Sequence, residues 1–342
     1  MSQETHIGTL LADQLDKLFT RQVDPAKLVA IEAGLPIIDI WSAVEQQGAA
    51  LALAGGDIGA GLSWQETLPM LRTLGWHGAP VPLAETLIGA SALTAVGLDL
   101  PEGPIAISTA EFELDDHNRI TGEDQLVAWL PQCNALVGQA HRNTERCLFV
   151  VATGDLRPRQ ADSLARIPSA SLTLQHQPVT ACAALQGQDI VADLAIVRAA
   201  MISGILDRVL ALTVDYANTR QQFGRTIGKF QAIQHHVANI AMQTAQAQAA
   251  VIFACQQRDC TNASHAAAVA KICTGGAATV SASAAHQVLG AIGITQEHEL
   301  HLLTRRLWQW RAEAGSDHYW AERLGRNVIN AGGPALWPLI AG

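Results

Sequence analysis

Apolar positions recur at helical intervals through the first hundred residues. Leu10, Leu11, Leu15 and Leu18 fall at one such spacing, and Ile38, Trp41, Val44 and Glu45 at another. The segment Ala54-Gly-Gly-Asp-Ile-Gly-Ala-Gly-Leu62 breaks the pattern, and Gly75 to Pro82 breaks it again. Pro80-Val-Pro-Leu-Ala-Glu-Thr86 then opens a further helix with Pro near its start. From Pro101 to about Ile190 the period shortens. Pro104–Ser108, Leu126–Leu130, Ala135–Val137, Cys147–Ala152 and Leu172–Leu174 are strand-sized apolar runs between turn residues, which predicts a small antiparallel β domain. Helical spacing returns at Asp193, an N-cap or first-turn acid, and continues through Leu194, Val197, Ile205, Val209 and Leu212 to about Arg220. Gly224 and Gly228 interrupt it. Further helices are expected from Phe230 to about Arg258, Ser264 to Leu289 and Glu299 to Trp310, together an antiparallel four-helix bundle. The pair Gly275-Gly276 costs about 1 kcal/mol per residue against Ala in a helix, which close helix approach explains. The expected fold is α+β, with an N-terminal helical domain over 1–100, a middle β domain over 101–190 and a C-terminal bundle over 191–342.

Composition narrows the function. With 49% hydrophobic and 15% charged residues, the 342-residue chain has ample material for a large core. So apolar a surface suggests cover by another subunit. The net charge of −9, without a Lys/Arg run, speaks against nucleic acid, whose phosphates need clustered cations. The N-terminus lacks a signal-peptide pattern and no uninterrupted apolar run reaches membrane-spanning length, so no membrane insertion and a cytoplasmic location are expected. The six cysteines form no C-x-x-C pair, His235 and His236 are adjacent rather than on one helical face, and no metal is expected. The glycine cluster at 55–61 has no Lys-Ser/Thr after it, so it reads as a turn and not as a phosphate loop.

Tyr216-Ala-Asn-Thr-Arg-Gln-Gln-Phe-Gly-Arg-Thr-Ile-Gly-Lys-Phe-Gln-Ala-Ile-Gln-His235 resembles the Y-A-x-x-R-x-x-F-G-x-x-I-x-x-F-Q-x-x-Q-H signature of acyl-CoA dehydrogenases. His286-Gln-Val-Leu-Gly-Ala-Ile-Gly293 resembles the family's Q-x-x-G-G-x-G turn, and Thr304-Arg-Arg306 follows at the family's distance. The resemblance covers about 190–325 and implies FAD as cofactor and oxidation of an acyl-CoA thioester to its 2,3-enoyl form. A carboxylate then takes the α proton while the β hydrogen leaves as hydride to the flavin. Arg220 offers a planar fork for the FAD pyrophosphate, Phe223 an aromatic edge for the flavin, and Gln231 and Gln287 amides for the adenosine end. Gly290 and Gly293 admit backbone close to the cofactor, and Gly315 and Ser316 fall in the turn that faces substrate and flavin. In this family these groups reach FAD held mostly by the neighbouring subunit, and an electron-transfer flavoprotein is the usual acceptor.

Two parts of that site are missing. Laying Arg305 and Gly315 on the family's motif puts Ala314 where most members carry the catalytic Glu, and the minority position falls on Leu194. Glu313 is the nearby candidate base; its other reading is a partner for Arg311 or Arg305. The Thr-Glu-x-x-x-Gly-Ser-Asp loop that holds flavin and substrate has no counterpart, since Pro104-Ile-Ala-Ile-Ser-Thr-Ala-Glu111 stands there. Trp129 is either a core residue or one on the strand facing the flavin. Length, the 80–86 stretch and Arg305-Arg-Leu-Trp-Gln-Trp310 resemble the shorter, base-less subunit of α2β2 steroid side-chain acyl-CoA dehydrogenases. A heteromer whose partner supplies the carboxylate is therefore the leading expectation. A self-sufficient homo-oligomer using Glu313 and a flavin-free scaffold stand beside it.

Overall fold

The computed structural model describes residues 4–260, 263–335 and 337. Its first layer is helical: α1 (Glu4–Gln22), α2 (Pro25–Glu32), α3 (Ile38–Gln46), α4 (Trp64–His77) and α5 (Leu83–Ala95). Leu11, Ala12, Leu15 and Phe19 form the buried face of α1, so the expected stripe is turned by part of a helical step and Leu10 lies 49% exposed. Ser63 and Glu66 close a reciprocal cap at the start of α4. The tightly bent segment before it needs Gly59, where a Cβ would meet the Leu51 and Ala54 carbonyls at 2.3 and 2.4 Å. The glycine cluster is thus a turn between helices.

The middle sheet is mixed, a correction to the antiparallel expectation. Its strands are β1 (Ile105–Leu114), β2 (Arg119–Ala128), β3 (Ala135–Arg142), β4 (Glu145–Ala152), β5 (Arg159–Ala161), β6 (Ser169–Pro178) and β7 (Ala181–Ala184), ordered β5-β6-β2-β1-β3-β4-β7. β1 pairs antiparallel with β2 but parallel with β3. A 3-10 turn, Leu130–Gln132, carries the chain past the start of β1, where the Asn134 N–H bonds the Pro104 carbonyl.

The last layer holds α6 (Ile190–Thr219), α7 (Gln231–Cys260), α8 (Ala263–Leu289) and α9 (Leu300–Ala312), plus a helix the sequence pattern did not announce, α10 (Asp317–Ala331). Asp189, one turn ahead of the expected residue, caps α6, and Asp193 is its first-turn acid. α8 is long and apolar enough to cross a membrane by length and composition, unlike the sequence expectation. It is a core helix here: Ala266, Ala270, Ala277 and Ala285 are fully buried. Gly275 lets the start of α10 close in, with Asp317 Cβ 2.9 Å from where a Cβ would stand. Gly276 faces open space and has no such reason.

Candidate active site

α6 ends at Thr219, and Arg220 continues in extended backbone. Two short strands, β8 (Gln221–Gln222) and β9 (Arg225–Thr226), follow as a hairpin whose turn residues are Phe223 and Gly224. Both have positive φ, 53° and 76°, the geometry of a two-residue turn that matches strand twist. Gly adopts it freely, whereas Phe gives up about 1–2 kcal/mol. Burial does not offset that cost, because Phe223 is 90% exposed and meets only the edge of Phe230, at 6.1 Å. An aromatic ring displayed at such a tip is suited to contact with something outside the chain.

The other cofactor candidates gather at the same end. Gln231 begins α7, and Gln287 lies exposed in the last turn of the antiparallel α8. Gly290 has φ 64° and open space beside it; Gly293 is buried, and a Cβ there would lie 3.2 Å from His286 Nδ1. His286 Nε2 is 2.9 Å from Thr304 Oγ1, tying the turn to α9. No ion pair engages Arg220 among the described residues. An unpaired guanidinium, two amides, an exposed ring and an open glycine fit a pyrophosphate-bearing dinucleotide.

The structure does not bring Glu313, Gly315 or Ser316 to that end. Lys271 of α8 donates to the carbonyls of Trp310 (2.7 Å), Arg311 (3.0 Å) and Glu313 (2.8 Å), which fixes the end of α9 beside Lys271. Lys271 and Gln287 are about 24 Å apart along the helix. Within this turn Ala314 is buried with φ 52°, and Gly315, at φ 86°, sits where a Cβ would press on Tyr319 and Trp320. Ser316 caps α10 by accepting from the Tyr319 N–H. The Trp320 indole donates to the Ala314 carbonyl at 2.9 Å.

Glu313 pairs with neither arginine expected for it. Arg311 binds Asp317, and Arg305 binds Glu32, since both carboxylates lie nearer. Glu313 accepts instead from Arg198 Nε at 2.5 Å and from Gln309 Nε2 at 2.7 Å, and Arg198 also grips Glu85. Arg198 and Glu85 are 2% and 1% exposed. Burial would lower the affinity of Arg198 for its proton, but Glu313 and Glu85 together raise it. Burial pushes the Glu85 carboxyl up while Arg198 opposes it. Burial brings the Lys271 amine down to about 7, with Glu313 pulling the other way. Sequence reasoning missed all three groups. Their one signal was a lone charge in an apolar run, as in Ile196-Val-Arg-Ala-Ala-Met201.

The family model for the acyl-CoA dehydrogenase C-terminal domain matches residues 191–329. Acyl-CoA dehydrogenase IpdE2 of Mycobacterium tuberculosis is 31% identical over 307 residues, covering 87% of this chain and 89% of that protein. This chain belongs to the acyl-CoA dehydrogenase family. Its fold is that of solved family members. The ChsE4-ChsE5 complex of M. tuberculosis aligns with a TM-score of 0.87 at 21% identity, over 97% of this chain and 99% of that one. A variant of the Tcur3481-Tcur3483 steroid ACAD gives 0.82 at 22%, over 95% and 98%.

The sheet of this acyl-CoA dehydrogenase relative carries its own departure. Where the Thr-Glu-x-x-x-Gly-Ser-Asp loop would stand, β1 bulges between Ile107 and Glu111, and Ser108 Oγ donates to Asp124 Oδ2 at 2.5 Å in a buried position. Trp129 is 4% exposed in left-handed backbone at the end of β2, a core residue. Gln309 Oε1 accepts from the Leu164 N–H at 2.9 Å, so the segment after β5 is tied to α9 one turn before Glu313.

Proposed function

We propose that this chain is one subunit of a heteromeric FAD-dependent acyl-CoA dehydrogenase, with the catalytic carboxylate supplied by a homologous partner. One observation carries this reading. Both base positions are apolar and buried, Ala314 and Leu194, and the neighbouring Glu313 is engaged by Arg198, whereas Arg220, Gln231 and Gln287 are exposed with no ion pair or side-chain hydrogen bond among the described residues. In the assembly Arg220 would grip the pyrophosphate through paired N–H donors, and Phe223 would pack on the flavin edge. Gln231 and Gln287 would meet the adenosine end, while Gly290 and Gly293 keep side chains out of its path. The flavin, once bound, supplies the hydride acceptor. This chain's residues hold and orient it and exclude water; the α proton leaves to the partner's carboxylate. The likeness to the ChsE4-ChsE5 complex supports a heteromer, and the likeness to the Tcur3481-Tcur3483 steroid ACAD supports a bulky acyl chain such as a steroid side chain. An electron-transfer flavoprotein is the acceptor we assign, and the cytoplasm the compartment, where the cysteines remain thiols.

Co-expression with a candidate partner tests this. A colourless chain that becomes part of a yellow complex oxidising an acyl-CoA is the expected result. A yellow, active protein from this chain alone would support the homo-oligomeric reading with Glu313 as base. A complex whose flavin content is unmoved by Arg220→Ala would support the scaffold reading.

A further inference from the structure

The corner that carries Gln287, Gly290 and Gly293 is held from beneath by one imidazole. α8 ends at Leu289, a 3-10 segment runs over Gly290–Ile294, and α9 starts at Leu300. His286 Nε2 is 2.9 Å from Thr304 Oγ1 of α9, while its Nδ1 is shut from solvent and has no hydrogen-bond partner. Gly293 covers that second nitrogen: a Cβ there would stand 3.2 Å from Nδ1 and 3.2 Å from Leu300 Cδ2. The ring therefore ties α8 to α9 on one side and seats the glycine turn on the other. No acid answers it. The charged neighbours that bear on His286 are His301 of α9 and His298 just before that helix. The cleft it lines also carries Glu32, Glu297, Glu299, Arg166 and Arg305. Arg305 and Arg306 take Glu32, Arg208 takes Glu299, and none of these carboxylates bonds the ring. α7, packed on α8, adds His235 and His236 at the same end of the hairpin.

We infer that His286 is a positioning residue whose neutral form holds the 287–293 turn in shape for the dinucleotide, so that acid releases flavin through this one imidazole. The inference rests on the dehydrogenase reading above for its cofactor, whereas closure of the turn belongs to this chain alone. A neutral ring suits the corner as the Nε2–H tautomer, which donates to Thr304 and leaves only a bare lone pair at Nδ1. Protonation adds an N–H at Nδ1, a charged donor with no acceptor in a dry place. Burial, then His301 and His298, accordingly hold the imidazole below its usual 6.5. A base so held binds fewer protons in the closed turn than in the open one. Closure is thus fully favoured above about 6.5 and weakens as pH falls below it. His298 shares the burial and lies against the edge of Tyr216, so the α6 side of the corner offers His286 no carboxylate either.

Flavin affinity against pH tests this in the co-expressed complex, with FAD release followed by fluorescence. One linked proton changes affinity by at most about tenfold per pH unit, and a fall of about fivefold is expected from pH 6.5 to 5.5. His286→Gln keeps an amide for Thr304 and cannot take up a proton. It should bind FAD within about threefold of wild type at pH 7.5 and lose the His286 part of the slope, whereas His286→Ala should bind more weakly at every pH. A Gln variant that keeps the wild-type slope overturns the inference. The full chain without partner or flavin gives an independent reading. By NMR its His286 Cε1 signal should titrate below 6.5. Amide exchange over 287–294, corrected for intrinsic rate, should quicken with that titration in wild type and stay level in His286→Gln. Turn amides indifferent to the titration overturn the inference whatever the flavin does. A complex that takes up no flavin defeats the dehydrogenase reading instead, and the exchange measurement still decides what His286 holds.

Discussion

Arg198 joins carboxylates from two distant elements, Glu85 of α5 and Glu313 at the end of α9. Its removal leaves buried Glu85 and part-buried Glu313 without the guanidinium they share, and breaking a buried pair costs about 3–5 kcal/mol. Arg198→Ala should therefore shift the denaturant midpoint sharply downward, whereas Arg198→Met with Glu85→Leu, which removes charge from both partners, should cost less. A single variant no worse than the double would show that the ion pairs of Arg198 do not hold these elements together. Lys271 makes a second prediction through pH. The unfolded amine, near 10.5, holds its proton where the folded one, near 7, has lost it. Stability from this group is thus fully present above about 10.5, falls as pH drops to about 7, and is flat below. The slope is about 1.4 kcal/mol per pH unit at most. Thermal unfolding between pH 7 and 9.5 should show the wild type gaining on Lys271→Met; parallel curves would mean the amine stays charged. Neither group was legible in the sequence. The motif spacing located Ala314, but it could not reveal that Glu313 turns to Arg198, because that pairing joins residues 115 apart. Arg311 and Arg305, near in sequence, had nearer carboxylates in space.

At the scale of elements, α4 and α6 cross through glycine. A Cβ on Gly75 would stand 1.9 Å from the Met201 carbonyl oxygen, and one on Gly204 would stand 2.0 Å from that of Arg72. Helix propensity favours Ala over Gly by about 1 kcal/mol. Backbone atoms cannot yield as a flexible side chain would, and overpacking costs about 3 kcal/mol here. The clash wins. Gly204→Ala should be destabilised by about 2 kcal/mol net in chemical denaturation, with Gly276→Ala, which meets nothing, neutral or stabilising. Equal effects at the two sites would contradict the close crossing. The long helices were legible because their apolar period is sustained over many turns. α10 was not, since only Trp320 on it is buried among polar neighbours. The parallel pairing of β1 with β3 was also hidden, because alternation along a strand does not specify its neighbour's direction.

The whole molecule presents a surface ill-suited to standing alone. From Phe230 to Gln257, nearly the whole of α7, no Asp, Glu, Lys or Arg occurs. Its outer side shows Met242 at 59% and Ile252 at 44% exposure, and α8 adds Val280 at 41%. Free protein surfaces carry dense charge, and contiguous apolar cover signals contact with another subunit. This face lies on the same two helices that end in Gln231 and Gln287, so in the proposed assembly subunit contact and cofactor contact would fall on one hairpin. A charge placed in its middle would be desolvated on assembly without a partner, at a cost of several kcal/mol. Met242→Arg should accordingly leave the thermal midpoint of the isolated chain within about 2 °C, because the residue is solvated there. In co-expression it should reduce capture of the partner at least tenfold and carry flavin content down with it, read by light scattering and absorbance. Retained assembly with normal flavin would place the partner on another face. Lost flavin with assembly intact would instead separate cofactor contact from subunit contact.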